Sequence, residues 1–277
     1  MRKSAFACFL MVAGFALSAQ AAFVGDLIDY QGGLNKVFTT GLAGVYDKYK
    51  QQKSGYQWNG LNEGDIVVVV LKATKVVSSK APGGVEDPLY DGELTKYLAL
   101  QIGSVEPDGY YTFKAGTSDG WDPFGKLKNG EVMGIWLEGQ KDFTIGYPIF
   151  GNKDNDRQDE VEMATDGLLF ATFGLDSQAF KGYFTPVSLS LTGGLVVKQN
   201  PLNLYWLGVP NPLGGTAHLA IENLNLGGKA SSDTDWDAFA NDSETFRVIP
   251  EPGTVTALLA MGGAAGLGLA LRRRKES

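Results

Sequence analysis

Apolar and polar positions along most of the chain recur with the period of a strand. Residues Asp65-Ile66-Val67-Val68-Val69-Val70-Leu71 form an unbroken β-branched run, the pattern of a central strand covered on both faces. Val187-Ser188-Leu189-Ser190-Leu191-Thr192 alternates strictly. Val187, Leu189 and Leu191 then share one face and the hydroxyls the other, as in a strand with one side on a core and one in water. Further strands are expected over 94–105, 110–114, 132–137, 143–149, 168–173, 202–208, 216–226 and 245–249. Turn residues punctuate them, among them Pro107-Asp108-Gly109, Lys128-Asn129-Gly130 and Pro210-Asn211-Pro212. One stretch, 34–52, has near-helical spacing in Leu34, Val37, Phe38, Leu42, Val45 and Tyr49, although Gly41 and Gly44 weaken a helix there. Strands without crossover helices, internal repeat or dividing linker predict an all-β chain, a single β-sandwich in preference to a barrel, over residues 22–249.

The two ends have a different pattern. Arg2 and Lys3 precede thirteen uncharged, mostly apolar residues and then Ser18-Ala19-Gln20-Ala21. This is the layout of a secretory signal over residues 1–21, cut by signal peptidase after Ala21, with Ala19 and Ala21 as the two small recognised residues. At the other end Pro250-Glu251-Pro252-Gly253 leads into eighteen uncharged residues, 254–271, and then Arg272, Arg273, Arg274 and Lys275. Eighteen helical residues rise about 27 Å, the short end of what spans a bilayer. The cations hold the tail in the cytoplasm, so the body is expected on the far side of the inner membrane. Two prolines fix φ and remove two backbone donors, which keeps the chain extended and unpaired where a protease would need it.

Pro250-Glu251-Pro252, the glycine-rich apolar segment and the Arg272, Arg273 and Arg274 cluster, in that order at the C-terminus, resemble the PEP-CTERM sorting signal of Gram-negative bacteria. The resemblance is confined to residues 250–277. It implies handling by an exosortase, a membrane-embedded transpeptidase-like enzyme that cuts near Pro-Glu-Pro, and a final place at the cell surface or in an exopolysaccharide or biofilm matrix. It implies nothing about the role of residues 22–249.

Charge sharpens this picture. The 277 residues carry 24 Lys and Arg against 31 Asp and Glu, a net −7. Removal of residues 1–21 and 253–277 takes six cations and one anion, leaving 18 against 30, a net −12. An acidic body excludes electrostatic binding of nucleic acid, which needs a basic surface. The single cysteine, Cys8, falls in the leader, so the exported body has none and no disulfide.

The chemistry on offer is sparse. No G-x-S-x-G elbow or P-loop is present, and His218 is the one histidine, placed by alternation on the polar face of a strand with Thr216 and Glu222. The acidic stretch 152–162 fails as a calcium loop, since Arg157 stands where the turn glycine belongs. A second stretch spaces Asp233, Asp235, Asp237, Asn241 and Glu244 like the oxygen ligands of a calcium loop, with Ala238 in place of the glycine. Trp121, in Ser118-Asp119-Gly120-Trp121-Asp122-Pro123, is the candidate for stacking on a sugar ring. The expectation is a non-catalytic exported surface or matrix protein without a cofactor. The alternatives are a carbohydrate-binding module, with or without calcium, and a secreted polysaccharide hydrolase built on a carboxylate pair.

Overall fold

The computed structural model describes residues 28–86, 93–138, 157–175, 180–228 and 235–250. The expected leader, the strand over 143–149 and everything from Glu251 onward lie outside the described residues. Fifteen strands and one α-helix are present among those described. They are β1 Asn35–Tyr46, β2 Gln52–Lys53, β3 Ile66–Ser78, β4 Ala81–Glu86, β5 Glu93–Glu106, β6 Tyr110–Lys114, β7 Met133–Glu138, α1 Arg157–Met163, β8 Leu168–Leu175, β9 Lys181–Phe184, β10 Ser188–Gln199, β11 Leu204–Leu207, β12 Val209–Pro210, β13 Thr216–Ala217, β14 Leu219–Gly227 and β15 Ala238–Pro250. The expected all-β class holds.

The arrangement of the sheet differs from two separate layers. Strand β1 pairs with β3 and β15, β15 with β14, β14 with β10, β10 with β8, β8 with β7, β7 with β5, and β5 again with β3. Every one of these pairings is antiparallel. Strands β6 and β9 make a second route between β5 and β10. One thirteen-stranded sheet thus turns back on itself, and its inner face is the core. The sandwich expectation is corrected to this extent, because long strands such as β3 and β5 pair along both edges and leave no seam between layers.

Alternation along the strands selects the inner face. Val37, Thr39, Gly41, Ala43 and Val45 of β1 lie opposite Glu244, Asp242, Ala240 and Ala238 of β15 and opposite Val76, Ala73, Leu71, Val69 and Val67 of β3. Leu94, Lys96, Leu98, Leu100 and Ile102 continue that face on β5. The near-helical spacing over 34–52 is therefore misleading. From Leu42 to Tyr46 both faces of β1 are buried, and the apolar residues on the outer face fill in the gaps that would otherwise show a period of two. Gly41 also forbids a side chain, since a Cβ there would meet the Val70 carbonyl.

A second layer covers the outer face of β1, β3 and β5, as the run over 65–71 requires. Tyr97 Oη donates to Asp122 Oδ1 at 2.6 Å, and Asp122 also accepts the backbone N–H groups of Phe124, Lys126 and Leu127. Phe124 lies edge-on to both Tyr46 and Tyr97, with centroids at 5.5 and 6.0 Å. Helix α1 adjoins this loop. Buried Arg157 lies over the Tyr46 and Trp236 rings and donates to the Asp235 carbonyl and to Asp237 Oδ2 at 2.8 Å. The C-terminal part of the acidic stretch 152–162 is thus a helix that inserts its arginine.

Candidate functional site

Two places on this framework carry chemistry. The first is the C-terminal end of β15. Leu204, Tyr205, Trp206 and Leu207 of β11 pair with Pro250, Ile249, Val248 and Arg247. Trp206 is buried among Phe170, Phe173 and Phe246, at centroid distances of 5.0–5.6 Å. Opposite β11 stands the N-terminal segment: Gly32 N donates to the Val248 carbonyl at 3.2 Å, and Arg247 Nε donates to the Gly32 carbonyl at 2.7 Å. Val248 is fully buried. The strand is therefore held on both sides as far as Val248 and by β11 as far as Pro250.

Comparison with family models finds the PEP-CTERM protein-sorting motif at residues 248–275. The chain carries an exosortase sorting signal. Its first three residues, Val248 to Pro250, belong to β15, two residues earlier than the Pro250 boundary read from the sequence. The body has no recognised family. Among curated proteins nothing matches the chain. Of the signal's expected determinants only Pro250 is described; Glu251, Pro252, Arg272, Arg273 and Arg274, like Ala19 and Ala21, lie outside the described residues. No helix among the described residues is long and apolar enough to cross a membrane, and residues 254–271 are not among them.

The second place lies inside the ring. Lys96 of β5 reaches across two intervening strands to β15, where its Nζ stands 2.7 Å from Glu244 Oε1 and 3.7 Å from Asp242 Oδ2. The side chains of Lys96 and Glu244 are wholly shielded from solvent and that of Asp242 nearly so. Their polar atoms, with Thr39 Oγ1 beside them on the inner face, lack hydrogen-bond partners; the ammonium is close to Glu244 yet off the axis of a hydrogen bond. Burial pushes the Asp242 carboxyl up to about 7; Lys96 opposes the shift and the like charge of Glu244 adds to it. One cation faces two carboxyl groups in a dry interior, so proton sharing is the cheapest way to balance the charge.

The proposed calcium ligands do not converge. Strand β15 begins at Ala238 rather than near Thr245 and absorbs two of them. Asn241 lies on its exposed outer face and Glu244 on the buried inner face, in the Lys96 cluster. Asp237 is held by Arg157, and the Asp235 carbonyl accepts from Arg157 and from Gln52. Asp233 lies outside the described residues. The loop geometry that the spacing implied is replaced by a strand, whose alternation sends successive oxygens to opposite sides.

Trp121 does not present its ring to solvent either. It is buried, with Nε1 donating to the Glu131 carbonyl at 3.2 Å and the ring packed where Gly116 leaves room. His218 is half-buried at the junction of β13 and β14, and its Nδ1 accepts the Val197 N–H at 3.1 Å. The residues missed from sequence are Lys96 and Asp242. A signal for them existed, since Leu94-Thr95-Lys96-Tyr97-Leu98 alternates so that Lys96 shares the face of two leucines.

Proposed function

We propose that the chain is a non-catalytic exported surface protein: a β domain held at the inner membrane by its C-terminal segment until an exosortase cuts near Pro-Glu-Pro. The motif at residues 248–275 carries this reading. Its role is that of a component of an extracellular polysaccharide or biofilm matrix, which the net charge of −12 on the trimmed body, high for solubility, suits. The test is mass spectrometry of the extracellular form. A C-terminus near residues 250–252 is expected, and an intact Arg272 to Arg274 tail on that form would sink the idea.

A second reading, recognition of a matrix polysaccharide, is favoured by one surface feature. Tyr110 and Tyr183 pair at 5.4 Å on the outer face of β6 and β9, with Tyr183 half exposed. Ser104 and Thr112 follow on adjacent strands, and Lys181 lies by the Tyr110 ring. Rings flanked by hydroxyl and ammonium donors match the apolar and polar faces of a pyranose. Retention on purified exopolysaccharide that Tyr183→Ala abolishes would support this reading, and equal retention would remove it.

A further inference from the structure

We propose that Lys96 and Asp242 condense to an intramolecular isopeptide bond inside the ring, with Glu244 as the base. The inference stands on the Lys96 cluster alone and does not depend on processing by an exosortase.

The three side chains are those the chemistry needs. An ammonium must lose a proton before its nitrogen attacks, and Glu244 Oε1 lies 2.7 Å from that nitrogen. The carbon attacked must belong to a carboxylic acid rather than a carboxylate, because the anion repels a nucleophile and has no neutral leaving group. Asp242 is the carboxyl that burial shifts toward the acid form, so that a substantial fraction of it carries its proton near neutrality. Its Oδ2 is 3.7 Å from Lys96 Nζ, so the carboxyl group stands beside the nitrogen that would attack its carbon.

The balance is complete without a co-reactant. Glu244 accepts one proton from the Lys96 ammonium. The free Nζ bonds to Asp242 Cγ, the second nitrogen proton passes through Glu244, and the Cγ–OH bond breaks with the oxygen leaving as water. Glu244 begins as a carboxylate and ends as a carboxylic acid holding the proton the ammonium gave up, so the net charge of the cluster is zero before and after. The product is one amide, and the net loss is one water. No oxidation state changes.

The surroundings favour the product. Before reaction the cluster leaves Lys96 Nζ, both Asp242 oxygens, both Glu244 oxygens and Thr39 Oγ1 without partners in a site sealed from water. Condensation replaces a buried ammonium and a buried carboxyl with a neutral amide, which is far cheaper to bury. The wall is apolar: Leu71, Ile135, Val37 and Ile221 are the strand neighbours of Lys96 and Glu244. The tie would join β5 to the last strand in a body that lacks cysteine.

The purified full chain, digested and read by tandem mass spectrometry, tests the bond. The expected result is a branched peptide joining the Lys96 and Asp242 segments, lighter by one water than the two together, with trypsin unable to cut after Lys96. Glu244→Gln should leave the two segments as separate linear peptides. Asp242→Asn should give the same branched peptide as the parent chain, since condensation then expels ammonia in place of water. Recovery of Lys96 and Asp242 only in linear peptides from the folded parent chain would overturn the proposal. A branch at Glu244 instead of Asp242 would overturn the assignment of roles. Undiminished branching in Glu244→Gln would remove Glu244 as the base.

Discussion

Lys96 and Tyr97 are neighbours in sequence, lie on opposite faces of β5, and are both fully buried, each against an aspartate. Lys96 points into the ring toward Asp242, and Tyr97 points outward to Asp122. A strand with both faces covered puts adjacent residues on opposite buried sides of the sheet, so neighbouring substitutions there report on different parts of the fold.

On the outer side, Asp122 organises its loop by accepting from Tyr97 and three backbone N–H groups. Asp122→Ala should cost about 2–4 kcal/mol, because it leaves several buried donors unpaired. Tyr97→Phe should cost less, about 1–2 kcal/mol. Urea unfolding of the two variants measures both, and an equal loss would contradict the loop-organising role.

On the inner side, Lys96→Met leaves two carboxyl groups facing one another without a cation. Relative to the joined parent the expected loss is at least about 3–5 kcal/mol, the usual range for breaking a buried ion pair from one side, because the variant lacks the covalent tie as well. The double variant Lys96→Met with Glu244→Gln should recover part of it, which the midpoint of urea unfolding would show.

The pH dependence of stability separates the joined chain from an unjoined one. In Glu244→Gln burial still holds the Asp242 carboxyl above its ordinary value of 3.8. The unfolded chain then gives up that proton at lower pH than the folded one, so the folded state binds more protons in between. Stability should fall as pH rises from about 4 toward neutrality and level off above. The joined parent has no Asp242 proton to lose and lacks this component. Parallel profiles for the two would count against the bond.

At the C-terminal clamp, trimming should matter at one residue boundary and not at the next. A chain ending at Pro250 keeps buried Val248 and the β11 ladder and should melt like the full chain. A chain ending at Arg247 loses Val248 and three of the four β11 pairs, at a cost of at least about 2 kcal/mol. Thermal melting of the two truncations checks this.

Calcium should leave the melting curve unchanged, since Asn241 and Glu244 face opposite sides of β15. A rise in melting temperature with calcium that a chelator reverses would show that an ion is bound after all.

The strands most legible in the sequence were those with one kind of environment along their length. The run at 65–71 and the alternation of Leu189 and Leu191 translate directly into β3 and β10, with both leucines inside. Val187, by contrast, precedes β10 and is exposed, because the alternation was extended one residue past the strand's start. Strand β1 reads as helix because its cover changes along its length. Strand β15 is legible only from Thr245 onward, since Asp242 and Glu244 at inner positions look like a polar loop unless Lys96 is known to face them. Local spacing cannot supply a partner from a distant strand. Trp121 illustrates the same limit: its polar neighbours suggested exposure, whereas the loop folds the ring under itself.

The clamped end of β15 also has a mechanical meaning. While the C-terminus is fixed in a membrane and the body is drawn outward, tension enters the fold at Pro250 and runs along β15. It meets the β11 ladder first and then, from Phe246 on, the two long ladders with β1 and β14, which flank the inner residues Glu244 and Asp242. A covalent link at Asp242 would share the load with β5 instead of leaving it to those ladders alone. The strand that carries the address is then also the strand by which the domain hangs.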